Sequence, residues 1–495
     1  MTRYAAPGRP GSVVSYRERY DHFIGGDHVP PARGRYLADA SPVTGEVFTE
    51  VARGTAEDVD HALDAAHGAA RGWGRTSPAE RATVLTEVAD RVEDHLEALA
   101  VAETWENGKP VGEALAADLP LAVDRFRYFA GAVRAQEGGV SQVGRDLVAY
   151  RFPEPLGVVG QLASWQFPLL SAVWELAPAL AAGNAVVLRP AVQTPASVHV
   201  LVGLIADLLP PGVVNVVTGL REEVGRALAS SRRVGRIAFG GEASTGRLAA
   251  RCASENLVPV AVEPGGQGPD VYFADVVARR DAFYHRALAG FTAFALDQGQ
   301  VCPSRVLVQG PAHDEFLADA AERTRALRRG DPLDTRTEVG AQVTAGHRDR
   351  LLAQARACRD EGARLVCGGE PLDLGGGLSG GFYAAPTVLE GDHKARACLD
   401  GVAGPLVVVS RFDDFDDVVK AADDIACGPG AGVWSRDGGT AYRAAREIQA
   451  GRVWVNDHFR YPAHAAFGGG SGLGGEDHRA ALDAYQQTKN LVVRY

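Results

Sequence analysis

Two side chains in the 495-residue sequence combine reactive chemistry with a setting that could use it, Cys302 and Glu263. Cys302 lies between Gln298-Gly299-Gln300-Val301 and Pro303-Ser304-Arg305, a run that predicts an exposed turn between a helix and a strand. An arginine three residues on favours the thiolate, which is the nucleophilic form. A lone cysteine is as readily a small buried hydrophobe, and Cys252, Cys358, Cys367, Cys398 and Cys427 are read that way. Glu263 ends the apolar run Val258-Pro259-Val260-Ala261-Val262 and is followed by Pro264-Gly265-Gly266, which predicts a carboxylate facing a cleft at the carboxyl edge of a sheet. A carboxylate so placed can serve as a general base, and an ordinary solvated strand end is the alternative. The sequence has no HExxH or C-x-x-C pattern, and His458 and His464 lack ligand spacing, so no catalytic metal is expected.

The elements that must position these groups show a regular alternation from Leu156 onward. LGVVGQLA, AVVLRP, VVNVV, RIAFG and VPVAVE read as five short strands separated by helices, among them PLLSAVWELAPALAA. That pattern predicts a right-handed, parallel, doubly wound α/β sheet that binds ligands beyond the carboxyl ends of its strands. Gln166, Arg189 and Glu263 follow three of those ends. Upstream, a strand-rich start leads to an amphipathic helix with Val59, Ala62, Leu63 and Ala66 on one face. A second helix opens at Ser77-Pro78-Ala79-Glu80 and carries Val84, Leu85, Val88, Val92 and Leu96. A second α/β unit is expected from about Gly265 to Val455, containing the strand GPLVVVSRF. RDLVAYRF reads as a hairpin arm. The G-x-G-x-x-G matches at Gly375 and Gly470 do not lie between a strand and a helix, and both read as loops.

Composition bounds the function. The net charge of −11 argues against nucleic acid as a partner, and the longest apolar run, Leu169 to Leu188, is interrupted by Glu175 and Pro178, so no membrane span is expected. The N-terminus lacks the apolar core of a signal peptide, and the scattered cysteines suit a reducing compartment, which together point to a cytoplasmic protein.

Several blocks, in order, resemble the NAD(P)-dependent aldehyde dehydrogenases: EPLGVVGQLASWQFPLL, APALAAGNAVVLRP, GVVNVVTG, VEPGG, GQVC and AGVWSRDGGTAYRAAREIQAGRVWVN. PSRVLVQ, YPAHAAFGG, YQQTKNLVV and the 39-residue spacing from Glu263 to Cys302 are similar to the bacterial acetaldehyde-type branch. The resemblance implies that fold, with an NAD(P)-binding domain at 1–133 and 155–264, a catalytic thiol domain at 265–463, and an oligomerisation arm with the C-terminal segment at 134–154 and 464–495. It implies a homodimer or homotetramer that oxidises a small-molecule aldehyde, of the short aliphatic class. In the implied chemistry the Cys302 thiolate adds to the aldehyde, hydride passes to NAD or NADP, and Glu263 deprotonates the water that hydrolyses the thioester. Gln166 stands where the family has its oxyanion-binding Asn. Ser164, Trp165, Arg189, Gly219, Phe239, Gly241 and Glu242 fall at cofactor-binding positions.

The sequence also departs from the family's pattern. Gln166 is one methylene longer than the usual Asn, so its amide must be repositioned to reach the same oxygen. Arg189 replaces a Lys, and Val192 stands where NAD-preferring members carry a Glu. Glu242 puts a carboxylate where the pyrophosphate would meet a helix N-terminus, with capping of that helix as its other use. Gly401 and Ala403 replace the usual Glu and Phe, Pro264 restricts Glu263 to extended conformations, and Glu175 replaces a Lys, while Glu476 matches the family. These changes predict weakened cofactor contacts. They also keep a second reading open, a catalytically impaired subunit serving as an oligomer partner.

Overall fold

The computed structural model describes residues 2–265, 268–295, 305–395, 403–424, 430–458, 460–466 and 478–495. The five strands expected after Leu156 form at Val158–Leu162, Ala185–Arg189, Val214–Val216, Arg236–Gly241 and Val260–Pro264. All five run parallel in one seven-stranded sheet, which the antiparallel hairpin of His22–Ile24 and Asp27–Val29 extends. Val158–Leu162 lies in the middle. The chain first builds outward through Ala185–Arg189 and Val214–Val216, then crosses to the other side for Arg236–Gly241 and Val260–Pro264. The direction of winding therefore reverses between Val158–Leu162 and Arg236–Gly241, which opens a crevice at their carboxyl ends.

Helices cover both faces. Ala56–Trp73 buries Val59, Ala62, Leu63 and Ala66, as its 3.6-residue pattern requires. Pro78–Asp94 starts with the expected reciprocal cap, in which the Glu80 N–H donates to Ser77 Oγ at 3.2 Å and the Ser77 N–H donates to Glu80 Oε2 at 2.6 Å. It stops at Asp94, so Leu96 belongs to the next helix, Leu96–Asn107. One apolar periodicity runs through both helices and hides the break at His95.

A second seven-stranded sheet contains Pro269–Tyr272, Arg305–Gln309 and Leu406–Phe412 near its middle. Its strands pair in parallel except for Arg364–Cys367 at one edge. The Gly375 match lies in an exposed loop with a single 3₁₀ turn at Gly376–Leu378, whereas the match at Gly470 falls outside the described residues. A separate three-stranded sheet joins Gly139–Gly144, Leu147–Pro155 and the C-terminal Gln486–Arg494, the last two paired antiparallel over nine positions. Among the described residues no helix is long and apolar enough to cross a membrane.

Candidate active site

The crevice gathers residues from three strand ends. The loop after Val158–Leu162 carries Ser164, Trp165 and Gln166, all buried. Ser164 Oγ donates to Gln166 Oε1 and accepts the Gln166 N–H, both at 3.2 Å, and the Ser164 N–H donates to Ser171 Oγ at 2.9 Å. The Trp165 indole packs with Ala191, Val343 and Ala403 and meets His347 edge-on at 4.8 Å. Burial lowers the His347 pKa to about 4, so the ring is neutral. It spans 2.6 Å to the Ala403 carbonyl and 3.2 Å to the Arg350 guanidinium, which requires the proton on Nε2.

Glu263 is half-buried at the end of the edge strand, paired across from Gly240. The strand keeps it extended, as the following Pro264 requires. It lines a cavity of about 640 Å³ together with Gly240, Phe167, Leu170, Trp174, His458 and Tyr461. The aromatic part of this wall is braced from behind. Arg125 lies over the Trp174 ring at 3.4 Å, and the Tyr485 hydroxyl donates to Glu175 Oε2 at 2.5 Å. That second contact accounts for a carboxylate at position 175, since it ties the helix to the C-terminal segment.

The positions expected from sequence to meet a cofactor lie at the same strand ends. Arg189, buried at the end of its strand, donates from Nη2 to the Gly219 carbonyl at 3.0 Å, while its Nε lies buried with no hydrogen-bond partner. Burial lowers its pKa to about 10, which still leaves a cation at neutral pH. Gly219 has φ +154°, and a Cβ there would lie 2.5 Å from Val224 Cγ2. Gly246, in the first turn of the helix Ala243–Ser254, has no room for a Cβ against Val262, so the helix sits low on the strands with Phe239 beneath it. An orphaned buried donor at one strand end and a recessed helix N-terminus after another suit a ligand rich in hydroxyl and phosphate oxygens. The residues present therefore fit a dinucleotide. Glu242 does not cap this helix with its side chain. Its carbonyl receives the Thr245 and Gly246 N–H groups, and its exposed carboxylate lies 3.7 Å from Arg350.

Cys302, Gly401 and Glu476 lie outside the described residues. The strand Arg305–Gln309, which starts three residues after Cys302, is a central strand of the second sheet. The polar end of Leu96–Asn107 was not singled out from sequence, yet it seats the loop that carries Gln166. Asn107 Nδ2 donates to the Trp165 carbonyl at 2.5 Å, and Glu103 Oε2 accepts the Leu169 N–H at 3.2 Å. The Lys109 ammonium lies 4.4 Å from the Phe167 ring centre and pairs with Asp118, with Glu113 at 3.2 Å and Glu103 at 3.7 Å. Burial pushes the Glu103 carboxyl up to about 8 against the pull of Lys109. The available signal was the dense polar run Glu103 to Lys109 directly after the apolar LEALAVA.

The aldehyde dehydrogenase family model matches residues 28–491. A fluoroacetaldehyde dehydrogenase of Streptantibioticus cattleyicolor is 60% identical, the alignment covering 100% of this chain and 98% of the relative. Acetaldehyde dehydrogenase 2 of Cupriavidus necator is 54% identical, with 97% and 96% covered. The NAD+ complex of an aldehyde dehydrogenase from Bacillus cereus superimposes with a TM-score of 0.90 at 32% identity, covering 96% of this chain and 97% of that one. PnpE from Pseudomonas sp. WBC-3 gives 0.91 at 34% identity, with 96% and 98% covered. With both sheets and the crevice in place, the chain belongs to the aldehyde dehydrogenase family and is an NAD(P)-dependent oxidoreductase acting on aldehydes.

Proposed function

We propose that the substrate is a short, uncharged aliphatic aldehyde, oxidised to the carboxylic acid through a covalent intermediate on Cys302. The observation that carries this reading is the cavity reached by Glu263, with its apolar wall of Phe167, Leu170 and Trp174. The similar proteins named for acetaldehyde and fluoroacetaldehyde point the same way. Nothing among these relatives supports the silent-subunit reading.

In this mechanism the Cys302 thiolate adds to the aldehyde carbon. The Gln166 amide and the Cys302 N–H donate hydrogen bonds to the oxyanion of the thiohemiacetal. NAD or NADP, when bound, supplies the hydride acceptor. Arg189, Gly219, Phe239, Gly241 and the helix N-terminus at Glu242 would hold the cofactor, with Trp165 on the adjoining loop. Glu263 takes a proton from the water that attacks the resulting thioester, so the acid leaves and the thiolate is restored.

The cavity wall carries Glu113, Asp118, Glu175, Glu338 and Asp457 besides Glu263, against Arg323 and Arg460. A carboxylate on the substrate would be repelled there. A panel of acetaldehyde, propanal and succinic semialdehyde should therefore show kcat/KM at least about tenfold higher for the two neutral aldehydes, equivalent to about 1.4 kcal/mol. Preference for the anionic aldehyde would overturn the substrate assignment.

The division of roles follows the two large sheets, with 1–133 and 155–264 binding the cofactor and 265–463 bearing the thiol. The arm leaves Val140, Val143, Leu491 and Val492 exposed on its two edge strands and Phe152 exposed on the strand between them, which supports a homodimer or homotetramer. A cytoplasmic location accords with free cysteines at 252, 358 and 367.

Glu242 sets a further test. Its carboxylate stands at the helix N-terminus without capping it, so Glu242→Gln removes repulsion from the pyrophosphate at no loss of a cap. Fluorescence titration should show NAD(P) binding about two- to fivefold tighter, the scale of 0.3–1 kcal/mol for a charge at a helix end. Weaker binding in Glu242→Gln would place the cofactor elsewhere.

A further inference from the structure

The peptide joining Trp165 to Gln166 is held at both of its polar ends. Its carbonyl accepts from Asn107 Nδ2 at 2.5 Å, and its N–H donates to Ser164 Oγ at 3.2 Å. Asn107 is itself fixed, since its Oδ1 accepts the Lys109 N–H at 3.2 Å and the side chain is fully buried. The Ser164 backbone is tied to the next helix through Ser171 Oγ. The backbone leading into Gln166 is therefore held in place, and what remains to be set is how the longer side chain is turned.

Ser164 Oγ also lies 3.2 Å from Gln166 Oε1. A hydroxyl has one proton and two lone pairs, and one lone pair already accepts the Gln166 N–H. The proton needs an acceptor in this buried place, and the side-chain carbonyl of Gln166 is the one at hand. The reverse orientation of the amide would leave the hydroxyl proton facing an NH2 group, with both donors competing. One serine hydroxyl thus bridges the main chain and the side-chain carbonyl of the same residue. The carbonyl end of the amide is taken by Ser164, so the donor end, Nε2, is turned the other way.

We propose that Ser164 is a positioning residue for aldehyde oxidation, its hydroxyl anchoring the carbonyl of the Gln166 amide so that the NH2 group is turned away from Ser164 and kept as the donor for the oxyanion. This rests on the reading above that Gln166 donates to that oxyanion. It replaces the cofactor contact that the family resemblance implied for Ser164. It also answers how an amide one methylene longer is brought to a single orientation.

A double-mutant cycle tests this, read as the rate of NAD(P)H formation in the first turnover at saturating cofactor. Gln166→Ala should slow that step by about 10²–10³, the usual cost of an oxyanion donor. Ser164→Ala should slow it about tenfold, with the aldehyde KM and the NAD(P) Kd each changed less than about twofold. In the Gln166→Ala background the same substitution should have no further effect, because it acts only through the missing amide. Ser164→Thr, which keeps the hydroxyl, should stay within about threefold of the parent. An equal loss from Ser164→Ala in both backgrounds, a weakened cofactor Kd at unchanged rate, or no loss at all would each overturn the proposal. If Gln166→Ala itself leaves the rate unchanged, it is the assignment of Gln166 as oxyanion donor that fails.

Discussion

Cys302→Ala should abolish aldehyde oxidation, lowering turnover by on the order of 10⁶ as removal of a covalent nucleophile does, while NAD(P) binds within about threefold of the parent affinity. The thiolate is the only group proposed to bond to substrate, and the cofactor positions at Arg189, Gly219 and Gly241 do not depend on it. The other thiols among the described residues are poor substitutes. Cys252 and Cys358 are buried in apolar clusters, and burial raises the Cys367 thiol above its ordinary pKa, which disfavours the reactive thiolate. Brief treatment with iodoacetamide followed by peptide mapping should accordingly label Cys302 first. Retention of more than about 1% of parental turnover in Cys302→Ala, or early labelling of Cys252 with Cys302 protected, would remove the nucleophile from its assigned place.

What sequence alone made legible was local. The β-branched runs at Val158–Leu162 and Ala185–Arg189, the Ser77 and Glu80 cap and the arm strands carry their signals in neighbouring residues, so pattern and structure agree. The crevice itself depends on strand order, which no periodicity encodes. It exists because the chain turns back across Val158–Leu162 before laying down Arg236–Gly241. Buried polar residues were the least legible. Glu103, Glu106 and Asn107 look like a solvated helix end, yet they accept from Leu169 and Ala196 or donate to Trp165, tens of residues away. The capping alternative for Glu242 failed for a related reason. Its backbone does the capping, and its side chain answers to Arg350 on a helix of the other half of the chain. Gln166 read alone looked misplaced, because its compensation by Ser164 is a contact between neighbours that only the fold of the loop brings about.

Glu263→Gln should separate the two halves of the reaction. Glutamine keeps the size and the hydrogen-bonding reach of the side chain but cannot take a proton from water, so the hydrolytic step loses its base. Steady-state turnover should fall about 10²–10⁴, the range attributed to a positioned general base. Addition of Cys302 to the aldehyde and the oxidation that follows do not use Glu263. The variant should thus release close to one equivalent of NAD(P)H per active site and then stall, with the acyl group detectable on the Cys302 peptide by mass spectrometry. Geometry supports this division, since Glu263 lines the cavity from the edge strand beside Gly240 while the loop carrying Gln166 approaches from Val158–Leu162 across the crevice. Pro264 adds to the argument. It confines Glu263 to extended backbone, so the carboxylate reaches water by side-chain rotation alone, and Pro264→Leu should leave the first-turnover rate unaltered whatever it does to hydrolysis. Loss of the first NAD(P)H equivalent in Glu263→Gln would mean that this carboxylate also activates the thiol, and unchanged steady-state turnover would mean that another group is the base.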